Sequence, residues 1–340
     1  MSSTKGQTTR LSVSDAVQAF EAHLRFKRRA HRTIIQYRPV LREFAAWADS
    51  REPGSIRPAD IQRFLSHWVA DFVQRNGREP SDSALKNVQV ALRSLYGYLH
   101  DFGLLVHDGR YVPNPMLAID LPSIEQKQND WLRQAEDEAL LGAYMSTDDE
   151  RIIVWFLRWS GLRIGEALSL PIKDVDLAEG LIYVRKSKTP RGKRAVPIAP
   201  QLRPQITRWL EVLASRGLYE PNGPFFATRT GKPWTAQYAE KIIRRVAHRA
   251  GVRVVSCTCG SKKSTRHEPG CPRTKSGERL SDVTPHTLRR TFGSYLLNQK
   301  VRLEVISALL GHSSTQITER AYAELQAQTI RTEMLDALTA

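Results

Sequence analysis

Two pairs of side chains in the second half of the sequence have the types and spacing to bind an anion and handle a proton. Arg163 and Glu166 lie three residues apart in SGLRIGEALSL, and His286 and Arg289 have the same spacing in TPHTLRRTFGSYLL. Residues three apart on a helix share a face, so each arginine is predicted to lie beside its partner. The guanidinium stays charged at any working pH and offers paired donors to phosphate oxygens. The face with His286 and Arg289 is predicted to point away from the apolar side of its helix, made by Leu288, Phe292 and Leu296.

Three further residues could supply an acid, a hydrogen-bond donor and a nucleophile. Lys188 lies where the strand-like LIYVRKS gives way to the polar turn KTPRGK, so its amine can swing into a cleft. His312 follows a glycine in LLGHSSTQITERAYAEL, and Tyr322 follows ten residues later. A tyrosine hydroxyl has an unperturbed pKa of about 10, so it needs help to lose its proton near neutrality. Each residue alone also has an ordinary interpretation, as a surface charge, a helix cap or a packing side chain.

The balance of charge favours a polyanionic partner. Lysine and arginine number 51 against 35 acidic residues, which gives a formal net charge of +16 at pH 7. Such an excess supplies sequence-independent affinity for phosphates, although it also fits a basic soluble protein without such a partner. No apolar run approaches the roughly 20 residues that span a bilayer, and the first residues lack a secretory stretch. We therefore expect no membrane association and a cytoplasmic location.

The order Arg, Lys, His-x-x-Arg, His, Tyr resembles the catalytic set of the tyrosine recombinase, or phage integrase, family. SGLRIGE, HTLRRTF and LGHSS match the boxes of that family nearly letter for letter, and the resemblance covers roughly residues 11–338. It implies a site-specific recombinase that cleaves and rejoins DNA through a covalent 3′-phosphotyrosine, with Tyr322 as the nucleophile. A phosphodiester under attack gains negative charge on its oxygens, which Arg163 and Arg289 would stabilise.

The resemblance also implies roles for the remaining residues. His286 would be the general base for the tyrosine, and His312 would donate a hydrogen bond to the phosphate. Lys188 would be the acid for the leaving 5′ oxygen, and Glu166 would orient the site. The covalent link keeps the energy of the broken bond, so a 5′ hydroxyl can reseal it without ATP. We expect no cofactor for catalysis, and the sequence has no GxxxxGK[ST] phosphate loop.

Two positions depart from the family pattern. Arg290 stands where many members carry a second histidine, at a position outside the catalytic set. The interval from His312 to Tyr322 is ten residues where nine is frequent, and the extra residue is Ala321. Since Tyr322 is the one tyrosine in this segment, it keeps the assignment as nucleophile.

The predicted fold is mainly α, with a small antiparallel β-sheet in the catalytic domain. Residues 11–123 read as a four-helix core-binding domain, 124–131 as a linker, and 132–340 as the catalytic domain. LIYVRKS and RAVPI are predicted to form a two-stranded hairpin in the catalytic domain. By the resemblance, the two domains would form a C-shaped clamp on double-stranded DNA. Four protomers would assemble on it through exchange of a C-terminal helix at 325–338.

A polar insertion at 255–283 holds all three cysteines of the chain. Cys257, Cys259, His267 and Cys271 lie within fifteen residues and suit a tetrahedral, structural Zn²⁺ site. Four protein ligands would leave no open position for catalysis. The spacing is not among the commonest zinc patterns, so a loop without metal stays the alternative.

Three rival functions remain open at this level. A relaxing topoisomerase has a similar set of catalytic residues, but HTLRRTF and LGHSS favour a recombinase. A DNA-binding accessory protein of the same fold would have no need of Tyr322. A zinc-dependent nucleic-acid binder centred on residues 257–271 explains too little of the chain. The sequence does not separate integration or excision of a mobile element from resolution.

Overall fold

Two compact units make up the chain, Met1–Gln126 and Lys127–Ala340. The computed structural model describes residues 11–27, 31–121, 130–185, 192–255, 280–312, 314–319 and 322. Within these ranges the fold is mainly helical with small antiparallel sheets, which confirms the predicted fold class. None of the described helices is both long enough and apolar enough to cross a membrane.

Four α-helices are described in the N-terminal unit. They are α1 (Val13–Phe26), α2 (His31–Ala48), α3 (Pro58–Asn76) and α4 (Asp82–Asp101). A capping box starts α1, because Ser12 accepts a hydrogen bond from the backbone of Asp15, whose carboxylate bonds back to Ser12. The helices bury a shared apolar core that includes Phe20, Leu41, Phe44, Phe64, Leu92 and Leu95.

A two-stranded hairpin follows α4 in this unit. Strands β1 (Val106–His107) and β2 (Arg110–Tyr111) pair in antiparallel fashion. Asp108 and Gly109 link them with φ values of 50° and 74°, as a tight turn of this kind requires. Residues 11–123 were predicted to be helical only, and the Asp-Gly pair was the signal for the hairpin.

Seven helices of the C-terminal unit are described. They are α5 (Gln134–Leu141), α6 (Asp148–Ser160), α7 (Ile164–Ala167), α8 (Arg203–Ser215), α9 (Ala236–Arg249), α10 (Pro285–Asn298) and α11 (Leu303–Leu310). Residues 315–319 and Tyr322 are helical as well. Helix α6 is central, since it contacts α8, α9 and α10. It is buried along most of its length, as its continuous apolar run IIVWFL requires.

A three-stranded antiparallel sheet lies in the same unit, in the order β3 (Val175–Asp176), β4 (Leu181–Val184), β5 (Arg194–Pro197). The β4–β5 pair is the predicted hairpin, whereas β3 was not predicted because it has two residues and no alternation to detect. Ile182 on β4 is paired with Val196 on β5, and both side chains are fully buried. The sheet therefore packs one face on the core, and β5 contacts helix α11.

Candidate active site

Two of the predicted arginines meet at the C-terminal end of α11. Arg289 Nη2 donates to the carbonyl of Leu310 at 2.5 Å, and Arg163 Nη2 donates to the carbonyl of Gly311 at 3.1 Å. The last carbonyls of a helix have no partner within the helix and carry its negative partial charge, so they attract cations. Two guanidiniums from distant parts of the sequence are thereby brought to adjacent carbonyls.

Arg163 is held at the start of the four-residue helix α7. It is the N-cap of α7, with φ −66° and ψ 145°, and Glu166 is the third residue of that helix. Glu166 accepts from the backbone N–H of Arg163 at 3.1 Å and from its Nη1 at 2.8 Å. The predicted shared helical face was wrong, because Arg163 precedes the helix and the contact is a capping interaction. The Arg163 side chain is 42% exposed, so the rest of its donors can reach a ligand.

Arg289 lies deeper than predicted. Arg289 is 3% exposed, and its Nη1 donates to the carbonyl of Gly161 at 2.7 Å. Arg289 is thus buried to a similar degree as Leu288 and Phe292 on the same helix, so the expectation that its face points away from the apolar side of α10 was wrong. Burial and then the charge of Arg163 lower the pKa of Arg289 to about 9, and the guanidinium stays charged near neutrality.

His286 lies in the first turn of α10, and its ring is exposed. Its Nε2 accepts a hydrogen bond from Arg290 Nε at 3.1 Å. Because the guanidinium is a donor only, Nε2 carries no hydrogen in this contact. Desolvation by surrounding atoms, followed by the charges of Arg290 and Arg289, lowers the pKa of His286 below its ordinary value. The imidazole is thus neutral near pH 7, as a base must be, but its Nε2 is occupied by the hydrogen bond from Arg290.

His312 follows the glycine that ends α11. Its Nδ1 lies 2.8 Å from Thr318 Oγ1. Burial and then the charges of Arg289 and Arg163 lower the pKa of His312 to about 4, so the ring is neutral at pH 7. In the tautomer in which the Thr318 hydroxyl donates to Nδ1, the ring hydrogen is on Nε2 and can be donated to a phosphate oxygen.

Tyr322 packs against α10, the helix that carries His286 and Arg289. It is 1% exposed and lies in a small apolar cluster with Phe292, Ile306 and Leu310. Gly293 makes this possible, because a Cβ there would lie 2.0 Å from the tyrosine hydroxyl. The interval of ten residues after His312 therefore still brings the tyrosine onto α10.

The hydroxyl of Tyr322 is held in its protonated form. It donates to the carbonyl of Arg290 at 3.3 Å, and its ring lies 6.3 Å from that of Trp131. Burial raises the pKa of Tyr322 to about 12, against the opposing charges of Arg289 and Arg290. Before the oxygen can attack phosphorus, it must leave this carbonyl and lose its proton.

Arg194 at the start of β5 also reaches the site, and sequence reasoning missed it. Its Nη2 donates to Glu166 at 3.1 Å, and its Nε donates to the carbonyl of Leu309 at 2.5 Å. Burial raises the pKa of Glu166, but the charges of Arg194 and Arg163 outweigh it and hold that pKa below its ordinary value. A signal was available, because alternation along β5 puts Arg194 on the same face as buried Val196, where an unpaired charge is not tolerated.

Several predicted site residues lie outside the described ranges. Lys188 is one, and Cys257, Cys259, His267 and Cys271 are the others. Among the described residues, no group of three His, Cys, Asp or Glu side chains could hold a metal ion.

The two ends of the cysteine-bearing insertion are fixed next to α10. Val254 and Ser281 form an antiparallel bridge, and the N–H of Val255 donates to the carbonyl of Leu280 at 3.0 Å. The hydroxyl of Ser281 donates to the carbonyl of Val252 at 2.8 Å. This paired neck ends four residues before Pro285, the first residue of α10, so the insertion leaves the fold near His286.

Comparison with known proteins agrees with the geometry. Residues 130–329 match the profile of the phage integrase family, and residues 17–101 match that of the phage integrase N-terminal SAM-like domain. A tyrosine recombinase XerC of Pseudomonas fluorescens is 27% identical over 325 residues, which cover 93% of each chain.

Two solved structures share the fold. The Tn1549 transposon integrase in complex with transposon right end DNA has a TM-score of 0.66 at 19% identity, with 96% of this chain and 99% of that chain covered. A lambda integrase tetramer bound to a Holliday junction has a TM-score of 0.65 at 15% identity, with 92% and 78% covered. The resemblance inferred from the motifs is confirmed. The chain belongs to the phage integrase family and is a tyrosine site-specific recombinase.

Proposed function

We propose that Tyr322 cleaves one DNA strand at a time within the recombination site of this enzyme. Its Oη forms a bond to the scissile phosphorus while the bond from phosphorus to the 5′ oxygen breaks, which leaves a 3′-phosphotyrosine and a 5′ hydroxyl. Attack by a 5′ hydroxyl from a second strand reverses the chemistry and rejoins the DNA. The observation that carries this proposal is the meeting of Arg163 and Arg289 at adjacent carbonyls beside His312.

The two arginines are suited to different parts of phosphate binding. Arg289 is buried and tied at both terminal nitrogens, so it offers a donor whose position is fixed before the substrate arrives. Arg163 is partly exposed and can close on the phosphate as it binds. Preorganised donors aimed at developing charge are worth about 10²–10³ in rate apiece.

Two hydrogen bonds must be exchanged before cleavage. The hydroxyl of Tyr322 leaves the carbonyl of Arg290, and Nε2 of His286 is released by the Arg290 side chain. His286 then accepts the tyrosine proton, and His312 donates from Nε2 to a non-bridging oxygen. Lys188 gives a proton to the leaving 5′ oxygen. These roles are carried over from the family motifs onto the matching residues.

The partners we propose are double-stranded DNA in the cytoplasm and three further copies of the chain. Support comes from a solved structure with the same fold, a lambda integrase tetramer bound to a Holliday junction. The segment predicted to link protomers, 325–338, lies outside the described residues. An accessory DNA-binding protein without strand exchange is the alternative, and the following experiment separates the two.

The test uses a labelled pool of nicked duplexes with randomised sequence around the nick. A nick next to the scissile phosphate lets a short fragment diffuse away, so that covalent protein–DNA adducts accumulate and can be sequenced to recover the site. We expect a shifted adduct on a denaturing gel with the wild-type enzyme and none with Tyr322→Phe. The control is Tyr295→Phe, which removes a hydroxyl from α10 outside the proposed mechanism and should leave the adduct yield unchanged.

An accessory role predicts a different outcome. Wild type and Tyr322→Phe would then retain the same duplexes in a filter-binding selection, and neither would form an adduct.

We also propose that Cys257, Cys259, His267 and Cys271 bind one structural Zn²⁺. Support comes from four ligands of the preferred types within fifteen residues. Elemental analysis of protein purified without chelator should find about one zinc per chain, and far less in a Cys257→Ser/Cys271→Ser variant. Equal and negligible zinc in both proteins would overturn this proposal.

A further inference from the structure

Three arginines, not two, donate to the end of α11. Arg194 Nε bonds to the carbonyl of Leu309, Arg289 Nη2 to that of Leu310, and Arg163 Nη2 to that of Gly311. We call Leu309–Gly311 the carbonyl row. His312 follows the row directly, so the position of its ring depends on how the row is held.

Arg194 uses all three of its nitrogens on protein groups. Besides the row, Nη1 donates to the carbonyl of Gly192 at 2.8 Å and Nη2 to Glu166 at 3.1 Å. Its side chain is 8% exposed, against 42% for Arg163. Arg194 therefore faces protein and not solvent, and any effect on a bound phosphate must pass through its neighbours.

Glu166 is the neighbour that connects Arg194 to the phosphate-binding arginine. Its carboxylate is 5% exposed and is shared between Arg163 on one oxygen and Arg194 on the other. With Arg194 removed, the buried carboxylate of Glu166 would lose one of the cations that neutralise it, and its attraction for Arg163 would grow. Attraction in a poorly solvated site is strong, so Arg163 would be drawn towards Glu166 and away from a ligand.

The box LGHSS leaves room for this arrangement. Gly311 has φ 63°, and a Cβ on it would lie 2.7 Å from Arg194 Nη1. Glycine is thus required by the backbone conformation and also by the close approach of Arg194. Arg194 is the first residue of β5, the return strand of the hairpin, and lies six residues after Lys188. Its hydrogen bond to Leu309 therefore also ties the start of this strand to α11.

We propose that Arg194 is a positioning residue for strand cleavage, which holds Glu166, and through it Arg163, and fixes the carbonyl row that precedes His312. This inference rests on the proposed function, in that Arg163 and His312 must act on the phosphate. Arg194 itself touches no DNA. Its loss should slow chemistry and leave DNA affinity nearly unchanged.

A second buried glutamate–arginine pair provides a matched control. Arg249 Nη2 bonds to Glu150 at 2.6 Å, with the carboxylate 4% exposed and the arginine 32% exposed. The pair joins α9 to the start of α6, and its hydrogen bonds among the described residues involve none of the proposed catalytic ones. A variant of Arg249 therefore reports what the loss of such a pair costs the fold alone.

The experiment measures three quantities for Arg194→Met, Arg194→Lys and Arg249→Met. They are the dissociation constant for a nicked duplex recovered by the selection above, the single-turnover rate of adduct formation at saturating protein, and the melting temperature. We expect Arg194→Met to form adduct about 100-fold more slowly, the effect of a displacement of about 1 Å in a catalytic group. Its dissociation constant should change less than about threefold. Arg249→Met should melt earlier but cleave at the wild-type rate.

Rescue by a conservative variant separates positioning from packing. Lysine keeps the charge beside Glu166 but lacks the planar guanidinium that reaches three acceptors. Arg194→Lys should therefore form adduct about tenfold faster than Arg194→Met. If Arg194→Met does not fold, the lysine variant still measures the effect. In Arg194→Met/Glu166→Gln, the two rate losses should not multiply, because both variants disturb one contact.

Two results would overturn the positioning role. One is a wild-type rate of adduct formation by folded Arg194→Met. The other is a rate loss in Arg194→Met that equals the loss in Arg249→Met at a matched drop in melting temperature. Failure of the proposed function is distinct, because the wild-type enzyme itself would then form no adduct.

Discussion

Glu150 and Glu166 occupy the same position in their helices, yet they connect to the fold in different ways. Each is the third residue of a helix, α6 and α7, and each is at most 5% exposed. Glu150 accepts from the backbone of Ser146 four residues earlier and from Arg249. Arg249 in turn lies 3.5 Å from the Ser146 hydroxyl, so the contacts close on the start of one helix.

The contacts of Glu166 lead away from its helix. Arg163 continues to Gly311, 148 residues along the chain, and Arg194 continues to Leu309, 115 residues along. Helix α7 has four residues, too few to be stable alone, so its place depends on these long-range bonds. The comparison teaches that a buried glutamate–arginine pair is not by itself evidence of a site. What separates the two is where the arginines place their remaining donors.

The largest effect is expected from the arginine partners. Arg163→Met should slow adduct formation about 10³-fold, because it removes a donor to the charge that develops on the phosphate. Arg249→Met removes the corresponding partner of Glu150 and should cleave at the wild-type rate. Single-turnover gels at saturating protein measure both. Equal rates in the two variants would break the contrast.

Substitution of the two glutamates should show the same contrast between a loss of rate and a loss of stability. Glu166→Gln keeps the shape but removes the charge that orients two arginines, so adduct formation should fall about 30-fold, near the effect of a small displacement. Glu150→Gln should leave the rate unchanged and lower the free energy of unfolding by about 2 kcal/mol, or roughly 6 °C in melting temperature for a unit of this size. Denaturant titration and the adduct assay together test this. If Glu150→Gln formed adduct more slowly than the wild type, Glu150 would not be a purely structural residue and could not serve as the reference.

Two glycines sharpen the comparison further. Gly311 and Gly251 have φ values of 63° and 69°, but a Cβ on Gly311 would meet Arg194 at 2.7 Å whereas one on Gly251 has open space. Both alanine variants should lose about 1–2 kcal/mol of stability from the left-handed backbone. Gly311→Ala alone should also cleave about tenfold more slowly, because Arg194 must move. Adduct rates that fall equally in both variants would point to backbone strain as the cause.

The last contrast is in the pH dependence of stability. The pKa of His312 is lowered to about 4 in the folded chain from an ordinary value of about 6.5, so the unfolded chain binds more protons between these values. The free energy of unfolding should therefore fall as pH falls from about 6.5 towards about 4. His312→Asn, which keeps a polar atom near Thr318, should flatten that slope in urea titrations at pH 4, 5, 6 and 7.

Glu150 should act in a lower range of pH. Burial raises its pKa, but Arg249 and Ser146 outweigh that and hold the pKa below its ordinary value of about 4.3. Its contribution is present above about pH 4.3 and is lost as pH falls through the lowered pKa. Glu150→Gln should thus change the pH dependence of the free energy of unfolding only below about pH 4.3. A change between pH 5 and 7 would contradict the assignment.

The site could be predicted from sequence to the extent that it consists of local motifs. The boxes around Arg163, His286 and His312, in their order, indicated the family, and helical and strand periodicity indicated the fold class. What the sequence could not show was the three-dimensional setting of each side chain. Arg163 precedes its helix, and Arg289 lies among apolar side chains, because contacts with α11 from far along the chain outweigh local periodicity.

Some of what was missed had a local signal. Asp108-Gly109 favours a tight turn, and Arg194 occupies an inward position on its strand. The pairing of Arg194 with Glu166 had none, because no local pattern specifies a partner 28 residues away. Burial of the Tyr322 hydroxyl against a carbonyl likewise depends on the packing of one helix on another.

The paired neck of the insertion has a consequence for how this chain tolerates change in length. Because Val254 and Ser281 are bridged, the ends of the intervening segment are joined before α10 begins. The entropic cost of closing a loop grows by only about 0.6 kcal/mol for each doubling of its length. The loop-closure entropy therefore changes little when the segment between these ends is lengthened or shortened, and the neck keeps the start of α10 in register. The neck is a natural attachment point for a tag or a DNA-targeting module on this recombinase.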